Sequence, residues 1–423
     1  MFDTSAQAAE AKDAEDEFSR FRDRFHIPKV NGDEVTYLAG NSLGLQPRQA
    51  QDDMAEELRK WATHGVRGHF EGSRPWAPFH ELFTAPMARI SGALEEEVVV
   101  MNSLTVNLHL LMVSFYRPTT SRYKILIESH AFPSDHYAVK SQLRFHGFDP
   151  SVGLLTVEPR HGEETIRPDD LIETILRNSD ELALVLLPGV QYYTGQVFPM
   201  QAAIAASHEA GAVVGLDLAH AAGNIPLELH DWDADFAAWC TYKYLNGGPG
   251  ATGAAFVHAR HLNDPTLPRF NGWWGHDKAT RFEMGTRFVP MDTAEAWQLS
   301  NAPVFSMVPL LASLELFDEA GGVGALQRKA RALSEYADRL LAAALGGRIR
   351  SITPDAATER GCQLSMEVTS PGVDGRAVFN ALEKAAVDCD WRYPNVIRVA
   401  PVPLYNSFMD VHRLVMTLSD VLV

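Results

Sequence analysis

The sequence predicts an α/β protein. A large domain is built on a mostly parallel, seven-stranded sheet, and a smaller α+β domain follows at the C-terminal end. Three observations predict this. Short apolar runs rich in Val and Leu alternate with amphipathic stretches from about residue 95 to 260, the pattern of a sheet covered on both faces. Small, polar or glycine-rich residues recur just after those runs, where open α/β sheets collect ligands. The chain has 423 residues, 46% of them hydrophobic and 22% charged, which suits a globular protein large enough for two domains.

Taken in order, the first ~30 residues read as a polar helix ending near Pro28. YLAGNSLGLQP (Tyr37 to Pro47) is an apolar piece followed by a Gly- and Asn-rich turn. QAQDDMAEELRKWATHG is helical and stops at Gly65, and RGHFEGSRPWAPFHE then breaks the period with Gly, Pro and aromatics. Such irregular stretches are often functional. The strands are VVVMN, YKILIES, GLLTVEP, ELALVLLPGV, AVVGLDLAH, DFAAWCTYKY and GAAFVHA. Helices separate the earlier ones: SLTVNLHLLMVSFY opening near Ser103 or Thr105, FPSDHYAVKSQLRFHG, RPDDLIETILRN and QAAIAASHEAG. A linking helix covers MVPLLASLELFDE. Beyond GGVG come the long helix ALQRKARALSEYADRLLAAAL, strand-like CQLSMEV, helical GRAVFNALEKAA and strand-like VIRVAP. The expected division is an N-terminal segment, 1–55, packing with the small domain, a large domain, 56–310, and a small domain, 311–423.

Acidic residues number 54 and basic ones 37, a net charge of −17. Nucleic-acid affinity rests on clustered Lys and Arg, so that class of partner is not expected. Cys240, Cys362 and Cys389 fit neither a disulfide framework nor a metal site. The acidic N-terminus lacks the apolar core of a signal peptide, and no apolar run has the length of a membrane span. A cytoplasmic location without a membrane partner is the expectation.

Three places carry candidate chemistry. Asn102-Ser103-Leu104-Thr105 follows the first strand, and free N–H groups at a helix start suit a phosphate. Asp217 ends the strand AVVGLDLAH, where a carboxylate is costly without a partner such as a protonated ring nitrogen, and His220 lies three residues on. Lys243 closes the apolar FAAWCTYKY before Leu-Asn-Gly-Gly-Pro-Gly. A lysine in such a setting can form an imine. Singly, these are also an ordinary N-cap, a turn-capping Asp and an exposed strand-end Lys. Their combination and order resemble a pyridoxal-phosphate enzyme of the aspartate-aminotransferase fold, in which a lysine anchors the cofactor. Phe132, after the strand ending in Glu128, could stack on the cofactor ring.

The motifs YLAGNSLGLQP, NSLTVNLHLLM, AFPSDHYAVKSQL, GLDLAHAAGN, LHDWDADFAAWCTYKYLNGGPG, GWWGH and NVIRVAPVPLYNSF resemble the kynureninase family, and they run from residue 37 to 408. The resemblance implies fold type I and hydrolysis of L-kynurenine or 3-hydroxy-L-kynurenine to L-alanine and anthranilate or 3-hydroxyanthranilate. It implies a role in tryptophan degradation and NAD biosynthesis. It implies that Lys243 holds the cofactor, Asp217 pairs with its ring nitrogen and His220 sits near its 3-oxygen. Leu104 and Thr105 would bind the phosphate. Phe132 would stack on the ring, and Asp135 belongs to the same segment. Tyr242 would reach the phosphate and transfer protons. Trp273 and Asn301 would come from the partner subunit of a homodimer. Arg398 would clamp the substrate carboxylate. His69 and Asn301 match the form of the family that favours the 3-hydroxylated substrate. Pro188 stands where many relatives have Ser or Thr, so one cofactor contact is expected to be missing or replaced. Two rivals use the same scaffold. A cysteine desulfurase would need a mobile nucleophilic Cys, with Cys362 in the small domain as the candidate. A non-catalytic binder would be expected to lack Lys243 or Asp217.

Overall fold

A computed structural model describes residues 2–422. The seven apolar runs form one sheet: β1 (Val98–Val100), β2 (Lys124–Glu128), β3 (Leu154–Val157), β4 (Leu182–Pro188), β5 (Val213–Asp217), β6 (Phe236–Trp239) and β7 (Ala254–Val257). Their order is β1-β7-β6-β5-β4-β2-β3. β7 runs antiparallel to β6 and β1, and every other pairing is parallel.

The period-2 alternation of each strand divides its side chains between two cores. Val98, Val100, Leu126, Val185, Leu187, Val214, Leu216, Trp239 and Phe256 join one apolar cluster. Val99, Ile125, Ile127, Leu184, Leu186, Phe236, Ala255 and Val257 join the other. The second face is covered by α3 (Leu104–Phe115) and α4 (Pro133–Phe145). The first is covered by α5 (Pro168–Arg177), α6 (Met200–Glu209) and α7 (Val304–Glu319). Both faces are dry, which is why these strands read as continuous apolar runs.

A second sheet holds β8 (Ile349–Ser351), β9 (Leu364–Val368), β10 (Asp390–Arg392) and β11 (Val396–Val399) in the order β8-β9-β11-β10. A third apolar cluster joins it to α8 (Gly322–Leu345), α9 (Gly375–Lys384) and α10 (Phe408–Leu422). The predicted N-terminal helix is confined to α1 (Ala6–Glu15). The chain then makes a 3-10 turn, and Phe25–His26 pair with Gln46–Pro47 just ahead of α2 (Gln49–His64). Thr36–Tyr37 pair in parallel with Val387–Asp388. No helix among the described residues is long and apolar enough to cross a membrane.

One predicted strand is too long. The run through Tyr244 ends at Trp239, because the chain must reverse between the antiparallel neighbours β6 and β7. Residues 240–253 make that reversal. Thr241 Oγ1 donates to the Thr252 carbonyl at 2.7 Å, and Gly247 N–H donates to the Thr241 carbonyl. Lys243 therefore lies on a turn beyond the strand.

The N-terminal segment is anchored by charge. The amides of Phe408 and Met409, at the start of α10, donate to the Asp13 carboxylate at 2.6 and 3.0 Å. Asp13 thus caps a helix from a distant part of the chain, where a carboxylate also meets the positive end of the helix dipole. Asp16 and Lys329 make a buried ion pair at 2.7 Å beside it. Asp13→Ala should cost about 1–2 kcal/mol of stability, measured by urea unfolding of the full chain. An unchanged midpoint would show that the cap does not matter.

Candidate active site

The carboxyl edge of the large sheet opens into a cavity of about 350 Å³, a size that suits a small ligand. Its walls are built by the turns that follow the strands.

After β1 the chain passes Asn102, whose φ of 50° bends it sharply into α3. Asn102 Nδ2 donates to Asn107 Oδ1 at 3.0 Å, and Asn107 Nδ2 donates to the Met101 carbonyl at 2.8 Å. This pair of amides holds the start of α3 against the strand end. Ser103 is the N-cap, yet its hydroxyl makes no capping bond. The first-turn amides of Leu104 and Thr105 have no intrahelical acceptor, and both residues line the cavity. Gly253 backs them: a Cβ there would meet the Trp239 carbonyl at 2.8 Å and the Leu104 nitrogen at 3.3 Å. Thr105 Oγ1 and Ser134 Oγ lie 3.0 Å apart.

After β2, Phe132 leads into α4 and remains 46% exposed at the cavity. An apolar ring this open offers a flat face to a ligand. Tyr192 meets it edge-on at 5.3 Å. Asp135, on the first turn of α4, is buried beside Asp217 at the end of β5. Burial raises both carboxyls, and the neighbouring Asp217 pushes Asp135 up further. The amide of Ala219, donating at 2.8 Å, and the positive charge of Lys243 work the other way on Asp217. Two buried carboxylates side by side are costly, and a protonated ring nitrogen placed against them relieves the cost.

Lys243 Nζ lies 2.9 Å from His220 Nε2. Burial and the charges of Lys243, Arg398 and Arg392 hold His220 well below its usual range, so its ring is neutral. Its Nδ1 is buried without a partner. Among the described residues Lys243 makes no ion pair, an uncommon state for a half-buried lysine. Tyr242, its neighbour, lines the same cavity, and burial raises its phenol. Arg398 reaches the site from β11. It is 1% exposed and donates to the Tyr192 carbonyl and to Asp390.

The cavity thus gathers Leu104, Thr105, Phe132, Asp135, Asp217, His220, Tyr242, Lys243 and Arg398. It does not gather His69, Trp273 or Asn301. His69 packs edge-on against Trp76 at 5.4 Å, Trp273 packs against Phe282 at 5.5 Å, and Asn301 is exposed. His69 and Trp273 sit on short 3-10 turns and Asn301 on a loop, all outside the cavity of their own chain. Pro188 lines the cavity but brings no donor.

Residues that sequence reasoning missed also line it: Asn41, Ser42, Glu128, Ser134, Tyr192 and Arg392. Glu128 accepts from Gln191 Nε2 at 3.1 Å and from the His130 amide at 2.7 Å, and burial pushes its carboxyl up to about 7. Gln191 in turn orders the Tyr192 loop by accepting from the Tyr193 and Thr194 amides. Tyr192 lies just after β4, so the search for residues following each strand could have found it. Nothing local to its segment marks Arg392.

Residues 326–418 match the family model of the kynureninase C-terminal domain. A kynureninase of Koribacter versatilis is 53% identical, over 98% of this chain and 97% of its own. One of Myxococcus xanthus is also 53% identical, over 99% of this chain and 98% of its own. Among solved structures, that of C-DES with glycine covalently linked to its PLP cofactor superposes with a TM-score of 0.75. It is 18% identical and covers 91% of this chain and 96% of that one, a likeness of fold. With identity above one half sustained along nearly its whole length, the chain belongs to the kynureninase family.

Proposed function

We propose that the protein is a pyridoxal-phosphate-dependent hydrolase of carbon–carbon bonds. It cleaves the Cβ–Cγ bond of L-kynurenine and, in preference, 3-hydroxy-L-kynurenine. The products are L-alanine and anthranilate or 3-hydroxyanthranilate, a step of tryptophan degradation that also serves NAD biosynthesis. The observation that carries the reading is the amine of Lys243. It meets a neutral imidazole at 2.9 Å, with the buried carboxylates of Asp135 and Asp217 nearby.

The donor set fits the cofactor. The open amides at Leu104 and Thr105, with Gly253 leaving space behind them, suit its phosphate. The carboxylate pair suits a protonated ring nitrogen, and exposed Phe132 suits the ring face. Orphaned His220 Nδ1 is a buried polar atom in want of a partner, which the cofactor's ring oxygen would supply. Pyridoxal phosphate, when bound, supplies the electron sink that makes bonds at Cα and Cβ breakable.

The chain's own residues do the rest. Lys243 holds the cofactor and then moves the substrate Cα proton at its Nζ. Asp217, with Asp135 beside it, keeps the ring nitrogen protonated. Tyr242 holds the phosphate and moves protons at its phenol oxygen while water adds to the side-chain ketone. Arg398 orients the α-carboxylate through its planar fork. A second copy of the chain supplies Trp273 and Asn301, and His69 and Asn301 meet the ring hydroxyl. Exposed Phe70, Trp273 and Phe282, 64%, 49% and 54% open, make an aromatic surface that suits a partner copy. In this reading residues 1–55, 56–310 and 311–423 act as an N-terminal segment, a cofactor domain and a small substrate-clamping domain.

A desulfurase needs a reactive thiolate. Cys362 is 1% exposed, and burial pushes its thiol up to about 12. That disfavours the rival. The non-catalytic binder is disfavoured by the presence of both Lys243 and Asp217.

Lys243→Ala should remove the visible absorbance of the lysine-linked cofactor and lower kcat by about three orders of magnitude or more. Near-normal turnover of kynurenine with alanine release would overturn the assignment. For the wild type, kcat/KM for 3-hydroxykynurenine should exceed that for kynurenine by about tenfold or more, and Asn301→Ala should erase the difference. A preference for unsubstituted kynurenine would sink the specificity assignment. Mixing inactive Lys243→Ala with inactive Trp273→Ala should restore activity, because a mixed dimer holds one intact site. No recovery after subunit exchange would rule out the shared site.

A further inference from the structure

In the segment DCDWRYPNVIRV, Asp390 and Arg392 are two residues apart on β10, so both side chains lie on one face. The register of β10 with β11 sets Asp390 directly opposite Arg398. The hairpin therefore gathers two guanidinium groups around one carboxylate. Asp390 Oδ2 accepts from Arg392 Nη2 at 3.0 Å and also from Arg398 Nη2. Like charges are brought together in a place where water is scarce. Arg398 is 1% exposed and Asp390 14%, while Arg392 keeps 37% exposure toward the cavity.

The charges do not balance. Two cations meet one anion, and no other carboxylate lies within 4.0 Å of either guanidinium among the described residues. The Nε atoms of both arginines are buried with no acceptor. An uncompensated charge and two orphaned donors are expensive to keep at a cavity wall unless a ligand completes them. Both arginines line the cavity that holds Lys243, and both lower the affinity of His220 for protons. The missing partner is an anion with two acceptor oxygens.

We propose that Arg392 is a second binding residue for the substrate α-carboxylate. The two guanidiniums present their free Nε–H donors to it together, with Asp390 as the positioning residue that holds both forks. The proposal rests on the reading that the substrate is an α-amino acid. It extends that reading, because Arg398 already spends one Nη on the Tyr192 carbonyl and another on Asp390.

The test uses the holoenzyme and two ligands, L-alanine and L-alaninamide, which differ only at the carboxylate. Binding is read from the cofactor's visible spectrum. Arg392→Gln should weaken alanine roughly tenfold to a hundredfold, the worth of a charged hydrogen bond, and leave alaninamide unchanged. Its KM for kynurenine should rise more than its kcat falls. Asp390→Asn should weaken alanine with the same selectivity. Equal alanine affinity in Arg392→Gln and wild type, or equal losses for alanine and alaninamide, would overturn the role of Arg392. Tighter alanine binding in Asp390→Asn would overturn the positioning role. If Arg392→Gln does not fold, Arg392→Lys carries the test: a point charge in place of a fork should weaken alanine selectively, and unaltered affinity would refute the proposal. Failure of the wild type to release alanine from kynurenine would sink the proposed reaction instead, and the alanine–alaninamide contrast would still decide the receptor.

Discussion

The Nζ of Lys243 lies 2.9 Å from a neutral imidazole, and no carboxylate neutralises it by direct contact among the described residues. The fold keeps the amine in place by other means. The turn that carries it is pinned by Thr241 to Thr252 and by the Gly44 amide to the Tyr242 carbonyl. Behind it, the neighbouring pair of Asp217 and Asp135 provides negative charge, centred on Asp217, at a distance rather than an ion pair. An amine held in this way is available for covalent chemistry, whereas one locked to a carboxylate is not. The surrounding groups serve that availability, because each is left with an unmet electrostatic demand that a bound cofactor or substrate satisfies.

The sheet explains how such demands can be sustained. Its two faces are sealed by separate apolar clusters, so the polar groups are confined to the carboxyl edge, where the turns after β1, β2, β4, β5 and β6 converge. The second sheet closes the same space from the other side through Arg398 and Arg392. The Tyr192 loop ties the two together, receiving Arg398 on its carbonyl and Glu128 through Gln191. The site is thus lined from both sheets, and such junctions are a common location for ligand cavities. The same logic covers the surface. Net charge of −17 describes the solvated exterior, while cations crowd one wall of the cavity.

Much of this is legible in the sequence. The seven strands were recovered because buried parallel strands are continuous apolar runs. The start of α3 is visible at Ser103 because small polar residues are favoured at helix starts, although this hydroxyl makes no capping bond. Where the sequence misled, a long-range constraint had intervened. FAAWCTYKY looks like one apolar strand, but the antiparallel return of β7 forces the turn after Trp239. The opening segment looks helical to Pro28, but its later part is spent pairing with Gln46–Pro47 and bonding to Asp410 through Arg22 at 2.7 Å. α10 is not among the predicted helices, and its cap comes from Asp13, 395 residues away.

By itself the sequence determined the alternation of strand and helix and the chemical identity of Lys243, Asp217 and Thr105, since these follow from local period and from polar residues at strand ends. Position after a strand also points to His220 and Phe132, and the motifs added Asp135, Tyr242 and Arg398. Tertiary structure alone decided which groups share the cavity. It left His69, Trp273 and Asn301 outside it, and it brought in Glu128, Tyr192 and Arg392. The reason is that register and long-range closure have no local signature. Asp390 faces Arg398 because of how two short strands pair, and Arg398 meets Tyr192 across 206 residues of chain.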